Sequence, residues 1–133
     1  MELQEQIDSF LACQRFGVVG ASPDRNKYGN KVLRAYLQKQ RDAVPVNPNA
    51  TEVEGIPCVA KLGQIDPAAD AISIITPPPV TEKIVDEAIE LGIKHIWMQP
   101  GAESDAAEHT ARAVGINLIS SGPCLLVVIG YHE

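Results

Sequence analysis

The chain has 133 residues, of which 45% are hydrophobic and 21% charged, a size and composition that exclude intrinsic disorder and supply one apolar core. Eleven basic against seventeen acidic side chains give a net charge of −6, which argues against nucleic acid as a partner and leaves room for a small phosphorylated ligand held by a local positive field. The longest uninterrupted apolar run, Leu125-Leu126-Val127-Val128-Ile129, is far short of the roughly 20 residues that span a bilayer.

The opening residues 1–5 are acidic rather than basic, so no secretory or transit signal is expected and the predicted location is the cytoplasm. Leu3, Ile7, Phe10 and Leu11 have helical spacing and predict a first helix. Phe16-Gly17-Val18-Val19 follows as a first strand, then a helix carrying Val32, Leu33, Tyr36 and Leu37 that starts near Gly29 or Asn30. The second strand is Ala43-Val44-Pro45-Val46. Residues 49–70 are the least regular stretch, read as a short edge piece at 55–59 and a helical turn at 61–65.

Ala71-Ile72-Ser73-Ile74-Ile75 is the third strand, and Val80, Ile84, Val85, Ala88 and Ile89 form the apolar stripe of the helix after it. His95-Ile96-Trp97-Met98 is the fourth strand; Ala107, Thr110, Ala111 and Val114 mark a further helix, and Ile116-Asn117-Leu118-Ile119 the fifth strand. Gly92 and Gly115 each follow a helical stretch, where a left-handed residue is wanted. The run at 125–129 suits a terminal strand or an apolar patch for self-association. The five strand runs are nearly continuous in apolar residues, as in a sheet buried on both faces. Strand–helix alternation predicts a single α/β domain over residues 1–133. The expected form is a Rossmann-like, doubly wound, parallel five-stranded sheet in a three-layer α/β/α arrangement, with strand order 3-2-1-4-5.

In such a sheet, ligands bind beyond the carboxyl ends of the strands. The five segments found there are Gly20 through Gly29, Asn47-Pro48-Asn49, Thr76-Pro77-Pro78-Pro79, Gln99-Pro100-Gly101-Ala102 and Ser120-Ser121-Gly122-Pro123-Cys124. All are rich in residues that make tight turns and expose backbone amides. In the first, Gly20 permits a sharp exit from the strand, Ala21 and Ser22 allow close approach of a phosphate, and Arg25 and Lys27 add positive charge before a helix N-terminus. The dinucleotide fingerprint G-x-G-x-x-G is absent, Asn47-Pro48 stands where a ribose-binding acid belongs, and no Walker A loop occurs. An NAD(P)-dependent oxidoreductase-like domain is therefore the alternative rather than the leading reading, and ATP hydrolysis has no support.

Val19-Gly20-Ala21-Ser22, Pro45-Val46-Asn47-Pro48, Thr76-Pro77-Pro78, Trp97-Met98-Gln99-Pro100-Gly101 and Gly122-Pro123-Cys124 occur in that order over almost the whole chain. As a set they resemble the CoA-binding domain family, which includes small stand-alone CoA-binding proteins and the N-terminal domain of the succinyl-CoA synthetase alpha subunit. The resemblance implies a Rossmann-like domain that holds coenzyme A, or an acyl-CoA, as its cofactor. Gly20, Ala21, Ser22 and Lys27 are implied at the phosphates, with Arg25 and Tyr28 in the same loop. Asn47 and Pro48 are implied beside the nucleotide, Thr76, Pro77 and Pro78 along the groove, and Gln99, Gly101 and Cys124 toward the pantetheine arm. The chain departs from the pattern in two places. Thr76-Pro77-Pro78-Pro79 stands where many stand-alone members carry an arginine, and Gly122-Pro123-Cys124 is one residue shorter than the synthetase turn. The synthetase's phosphorylated histidine belongs to a second domain, so the resemblance implies binding and not ligation. A CoA- or redox-sensing module acting through a protein partner or a homo-oligomer uses the same pocket.

No catalytic residue or metal site is expected. His95 reads as a structural residue at a strand start, His109 as part of a solvated face, and His132 as a mobile residue near the last position. None has metal-ligand spacing. Ser22 follows a strand–turn–helix pattern without G-x-S-x-G, and so reads as a phosphate or turn hydrogen-bonder. Adjacent acids such as Asp86 and Glu87 diverge on a helix and serve solubility. Trp97 reads as core or partner-facing surface. Cys13, Cys58 and Cys124 form no disulfide framework. Of the three, Cys124 lies near the proposed crevice, where exchange with the CoA thiol and burial as a small hydrophobe are the two readings.

Overall fold

A computed structural model describes residues 2–133. Five parallel strands form the central sheet: β1 (Arg15–Val19), β2 (Asp42–Val46), β5 (Ala71–Ile74), β6 (His95–Met98) and β7 (Asn117–Ile119). Two two-residue strands, β3 (Glu52–Val53) and β4 (Ile56–Pro57), make a separate antiparallel hairpin. Its turn places Glu54 at φ 51° and Gly55 at φ 77°, the geometry of a two-residue hairpin turn with both central residues left-handed.

The sheet order is β2-β1-β5-β6-β7. Renumbered over the five sheet strands this is 2-1-3-4-5, which corrects the expected 3-2-1-4-5. The physical reason lies in residues 49–70. This stretch holds no crossover helix; it returns along the outer edge of β2, where Val59 donates to the Pro45 carbonyl at 3.1 Å and accepts from Asn47 N at 2.9 Å. Val59 thus occupies the position beside β2, and the third sheet strand crosses to the far side of β1. The order reverses between β1 and β5, which makes the space above their carboxyl ends the switch point.

Side chains alternate between the two faces. Phe16, Val18, Ala71, Trp97 and Ile119 pack with α1 (Leu3–Leu11), α2 (Tyr28–Gln38) and α5 (Leu125–Ile129). Val19, Val46, Ile72, Ile74, Ile96, Met98 and Leu118 pack with α3 (Pro78–Glu90), α4 (Asp105–Ala113) and the 3-10 turn Leu62–Gln64. Both sheet faces are dry, which accounts for the unbroken apolar runs. Trp97 is core: its ring is fully buried and meets Phe10 edge-on at 5.3 Å. Gly92 and Gly115 take φ 77° and 80° after α3 and α4. The run at 125–129 is a helix, not a strand: Gly130 ends it in a left-handed conformation, Leu125 is buried, and Val127 is exposed. His132 is tied down, contrary to expectation, by a backbone pair with the Gln38 side chain in which His132 N donates at 3.0 Å.

Candidate functional site

The loop leaving β1 is built on two glycines. Gly20 has φ 97°, and a Cβ there would lie 2.0 Å from the Ile75 carbonyl oxygen. Gly29, the second residue of α2, approaches the Gly20 carbonyl so closely that its Cβ would meet that oxygen at 2.0 Å. The N-terminus of α2 is thereby seated directly on the exit of β1. Its N-cap, Lys27, makes no side-chain capping bond, so the first amides of the helix retain their affinity for an anion. A close-approach glycine like that of a dinucleotide fingerprint is present in geometry but lies nine positions after Gly20, outside the usual spacing.

Side chains brace this loop from below. Asn47 Nδ2 donates to the Ala21 carbonyl at 2.8 Å, and its Oδ1 accepts from Asn49 N at 2.7 Å. Asn30, fully buried, donates to the Ser22 carbonyl at 2.8 Å and to Glu54 at 3.2 Å, and accepts from Arg34 Nε at 2.7 Å. Ser22 Oγ accepts from Asp24 N at 3.1 Å and so fixes its own turn.

Three adjoining clefts follow the carboxyl edge. The first, about 380 Å³, is lined by Gly20, Ala21, Ser22, Lys27, Tyr28, Gly29, Asn47 and Ile75. The second, about 370 Å³, shares Gly20, Asn47 and Ile75 and adds Pro48, Lys61, Thr76, Pro77 and an apolar floor of Val19, Val46, Leu62, Val80 and Ile84. The third, about 320 Å³, runs from Thr76 and Pro77 to Pro100, Gly101 and Ala102. Of the residues singled out from sequence, ten therefore line these adjoining clefts: Gly20, Ala21, Ser22, Lys27, Tyr28, Asn47, Pro48, Thr76 and Pro77, and Gly101 at the far end. Pro78 is the first residue of α3, where its missing N–H is harmless. Arg25 turns away from the groove: its Nε lies 3.4 Å from Glu54, and its carbonyl accepts from Arg34.

Gln99 and Cys124 lie to one side, joined through Tyr28. Gln99 is fully buried; its Oε1 accepts from Tyr28 Oη at 3.2 Å and from Leu125 N at 2.9 Å. Its Nε2 is buried with no partner among the described residues, an arrangement that costs about 1–3 kcal/mol when nothing accepts from it. The Tyr28 hydroxyl also contacts Cys124 Sγ, and burial with this thiol contact pushes its pKa well above the usual phenol range. Trp97 Nε1 donates to the Pro123 carbonyl at 3.0 Å and holds the loop that carries the thiol.

Sequence reasoning does not reach Asn30, Glu54 or Lys61. Asn30 and Glu54 act through a fold-dependent contact between α2 and the hairpin tip. A Glu before Gly at a hairpin turn was the available signal for Glu54. Among the described residues, no group of three His, Cys, Asp or Glu side chains is placed to hold a metal. The histidines lie away from the groove: His95 opens β6 and meets Asn117 Nδ2 at 3.1 Å, and His109 is exposed on α4.

A family model described as "CoA binding domain" matches residues 14–129. A conserved hypothetical protein from Pyrococcus furiosus is 36% identical and superposes with a TM-score of 0.81, over 86% of this chain and 98% of that one. The uncharacterized protein YneT of Bacillus subtilis is 24% identical over 106 residues, 80% of this chain and 78% of that one. An ADP-forming acetate–CoA ligase of Archaeoglobus fulgidus is 26% identical over 122 residues, 84% of this chain; the match spans 18% of the ligase.

Proposed function

Because the chain belongs to the CoA-binding domain family, we propose that it binds coenzyme A, or an acyl-CoA, along the groove at the carboxyl edge of its sheet. The observation that carries this reading is the seating of the α2 N-terminus on Gly20 through the Gly29 contact, beside a cleft whose lining includes Lys27 and no carboxylate. The pyrophosphate belongs in that cleft, where helix amides and an ammonium group meet it. The second cleft, with Pro48 and Pro77 at its walls and an apolar floor, takes the adenine, and Lys61 at its rim faces a ribose phosphate. The pantetheine arm then passes Thr76 and Pro77 toward Gly101, in the segment after β6 that also carries Gln99, the neighbour of Tyr28 and Cys124.

The end of β2 favours this ligand over NAD. Asn47 is spent on Ala21 and Asn49, so no acid waits at the end of β2 for a ribose hydroxyl pair, and the one carboxylate lining the second cleft, Glu87, is accompanied there by Lys61. Micromolar affinity requires about 8 kcal/mol, which a few charge-assisted hydrogen bonds of roughly 1.5–3 kcal/mol each, with adenine burial, can supply. The reading is one of binding. Calorimetric titration with CoA, dephospho-CoA and NAD tests it. The expected ranking is CoA first, dephospho-CoA weaker, NAD weakest; NAD binding as tight as CoA overturns the assignment.

A further inference from the structure

We propose that Cys124 is a site of reversible thiol–disulfide exchange with the disulfide form of a CoA-like pantetheine thiol. This rests on the groove reading above, since the nucleotide part of the ligand is what delivers its sulfur. Cys124 differs from the other two thiols in what touches it. Cys13 Sγ donates to the Ser9 carbonyl, and Cys58 Sγ lies at 3.6 Å from the carbonyls of Asn47 and Val59. Burial pushes both upward in pKa, and a carbonyl oxygen offers a thiolate no hydrogen bond. Cys124 Sγ instead meets the hydroxyl of Tyr28, a group that can donate to a thiolate. That hydroxyl keeps its proton at neutral pH, as an ordinary phenol does, and burial with the thiol contact shifts its pKa further upward.

Two further features point to a ligand at this place. Both neighbours of Cys124 are tied to β6 or the residue after it, Pro123 O to Trp97 Nε1 and Leu125 N to Gln99 Oε1, so the thiol is held in position rather than on a free loop. The buried Gln99 Nε2 in the same cluster has no acceptor among the described residues, and an amide carbonyl of a pantetheine arm is the chemical complement of that donor. Tyr28 links the cluster to the phosphate cleft that it also lines, and β1 and β6 are separated by β5 alone, about 10 Å at the spacing of sheet strands.

The exchange balances without an added oxidant. The Cys124 thiolate attacks one sulfur of the disulfide, an S–Sγ bond forms as the S–S bond breaks, and the second pantetheine sulfur leaves as a thiolate that takes up the proton lost by Cys124. Cys124 is oxidised and the departing sulfur reduced. Tyr28 donates to the attacking thiolate and turns back to Gln99 Oε1 once the bond has formed.

The test is intact-mass and peptide mapping of the whole chain after incubation with CoA disulfide, beside oxidised glutathione at the same concentration. The expected result is one CoA moiety per chain, on Cys124, removed by dithiothreitol, forming at least about tenfold faster than the glutathione adduct. Tyr28→Phe is expected to slow formation about tenfold, the loss of one hydrogen bond to a charged group. Equal rates for the two disulfides, an adduct on Cys13 or Cys58, or an unmodified chain overturns the inference. Titration of the wild-type chain with reduced CoA under reducing conditions separates the two failures. Binding without an adduct sinks the exchange alone, and no binding sinks the groove reading with it.

Discussion

The two ends of the parallel sheet are built from different chemistry. At the amino ends, charged and polar side chains face one another: Arg15 pairs with Asp42 at 2.8 Å, Asp70 accepts from Gln14 N at 2.9 Å, and His95 meets Asn117. A cavity of about 410 Å³ near this end, at the β2 edge, is similar in size to each of the three clefts at the other, and its lining mixes Arg15 and Arg41 with Asp42 and Asp66. An anion placed there meets carboxylates as readily as guanidinium groups. At the carboxyl ends, Lys27 is the charged group of the first cleft, and the polar side chains of Asn30 and Asn47 are used to hold loop carbonyls. Under the proposed reading, what remains for a ligand is backbone N–H at the start of α2. Charge and cavity size do not, in that reading, single out the ligand's end of the sheet; the backbone donors at the start of α2 do.

Substitutions at each end separate stability from binding. Gly20→Ala is expected to have the largest effect, about 3 kcal/mol of stability or more in urea unfolding together with loss of CoA binding, because the added methyl meets the Ile75 carbonyl at a positive φ. Lys27→Ala should leave the urea midpoint in place and weaken CoA roughly tenfold, an effect that shrinks as salt is added. Asp70→Ala, at the amino end, should do the reverse: about 1 kcal/mol of stability lost with its acceptor for Gln14 N, and calorimetric CoA affinity unchanged.

The smallest expected effect is a pH dependence. Burial lowers the pKa of His95, with Asp70 opposing. The folded chain therefore binds that proton less readily than the unfolded chain. Stability should fall as pH drops below the ordinary histidine value of about 6.5. His95→Gln should flatten that part of the unfolding curve, while CoA affinity measured at neutral pH stays the same.

The contrast between the two ends is partly legible in the sequence. Glycine, proline, serine and asparagine after every strand point to the carboxyl edge without any structure, because turn chemistry is local. The strand order is not legible, since which side of β1 receives the third strand depends on Val59 filling the edge of β2, a contact made by a stretch with almost no periodic signal. The helix at 125–129 is missed for a related reason: five consecutive apolar residues carry no period that separates a buried helix from a strand. Gly29 hides because its contact with Gly20 spans a loop longer than the fingerprint allows. Arg25 looks like a phosphate ligand in one dimension and is engaged by Glu54 in three.

Crystallisation of the chain with coenzyme A tests the central claim most directly. The expected result is pyrophosphate density against the Tyr28 and Gly29 amides beside Lys27, with the adenine between Pro48 and Pro77. Density for the ligand in the cavity of Arg15 and Arg41, with the loop from Gly20 to Gly29 empty, would contradict it.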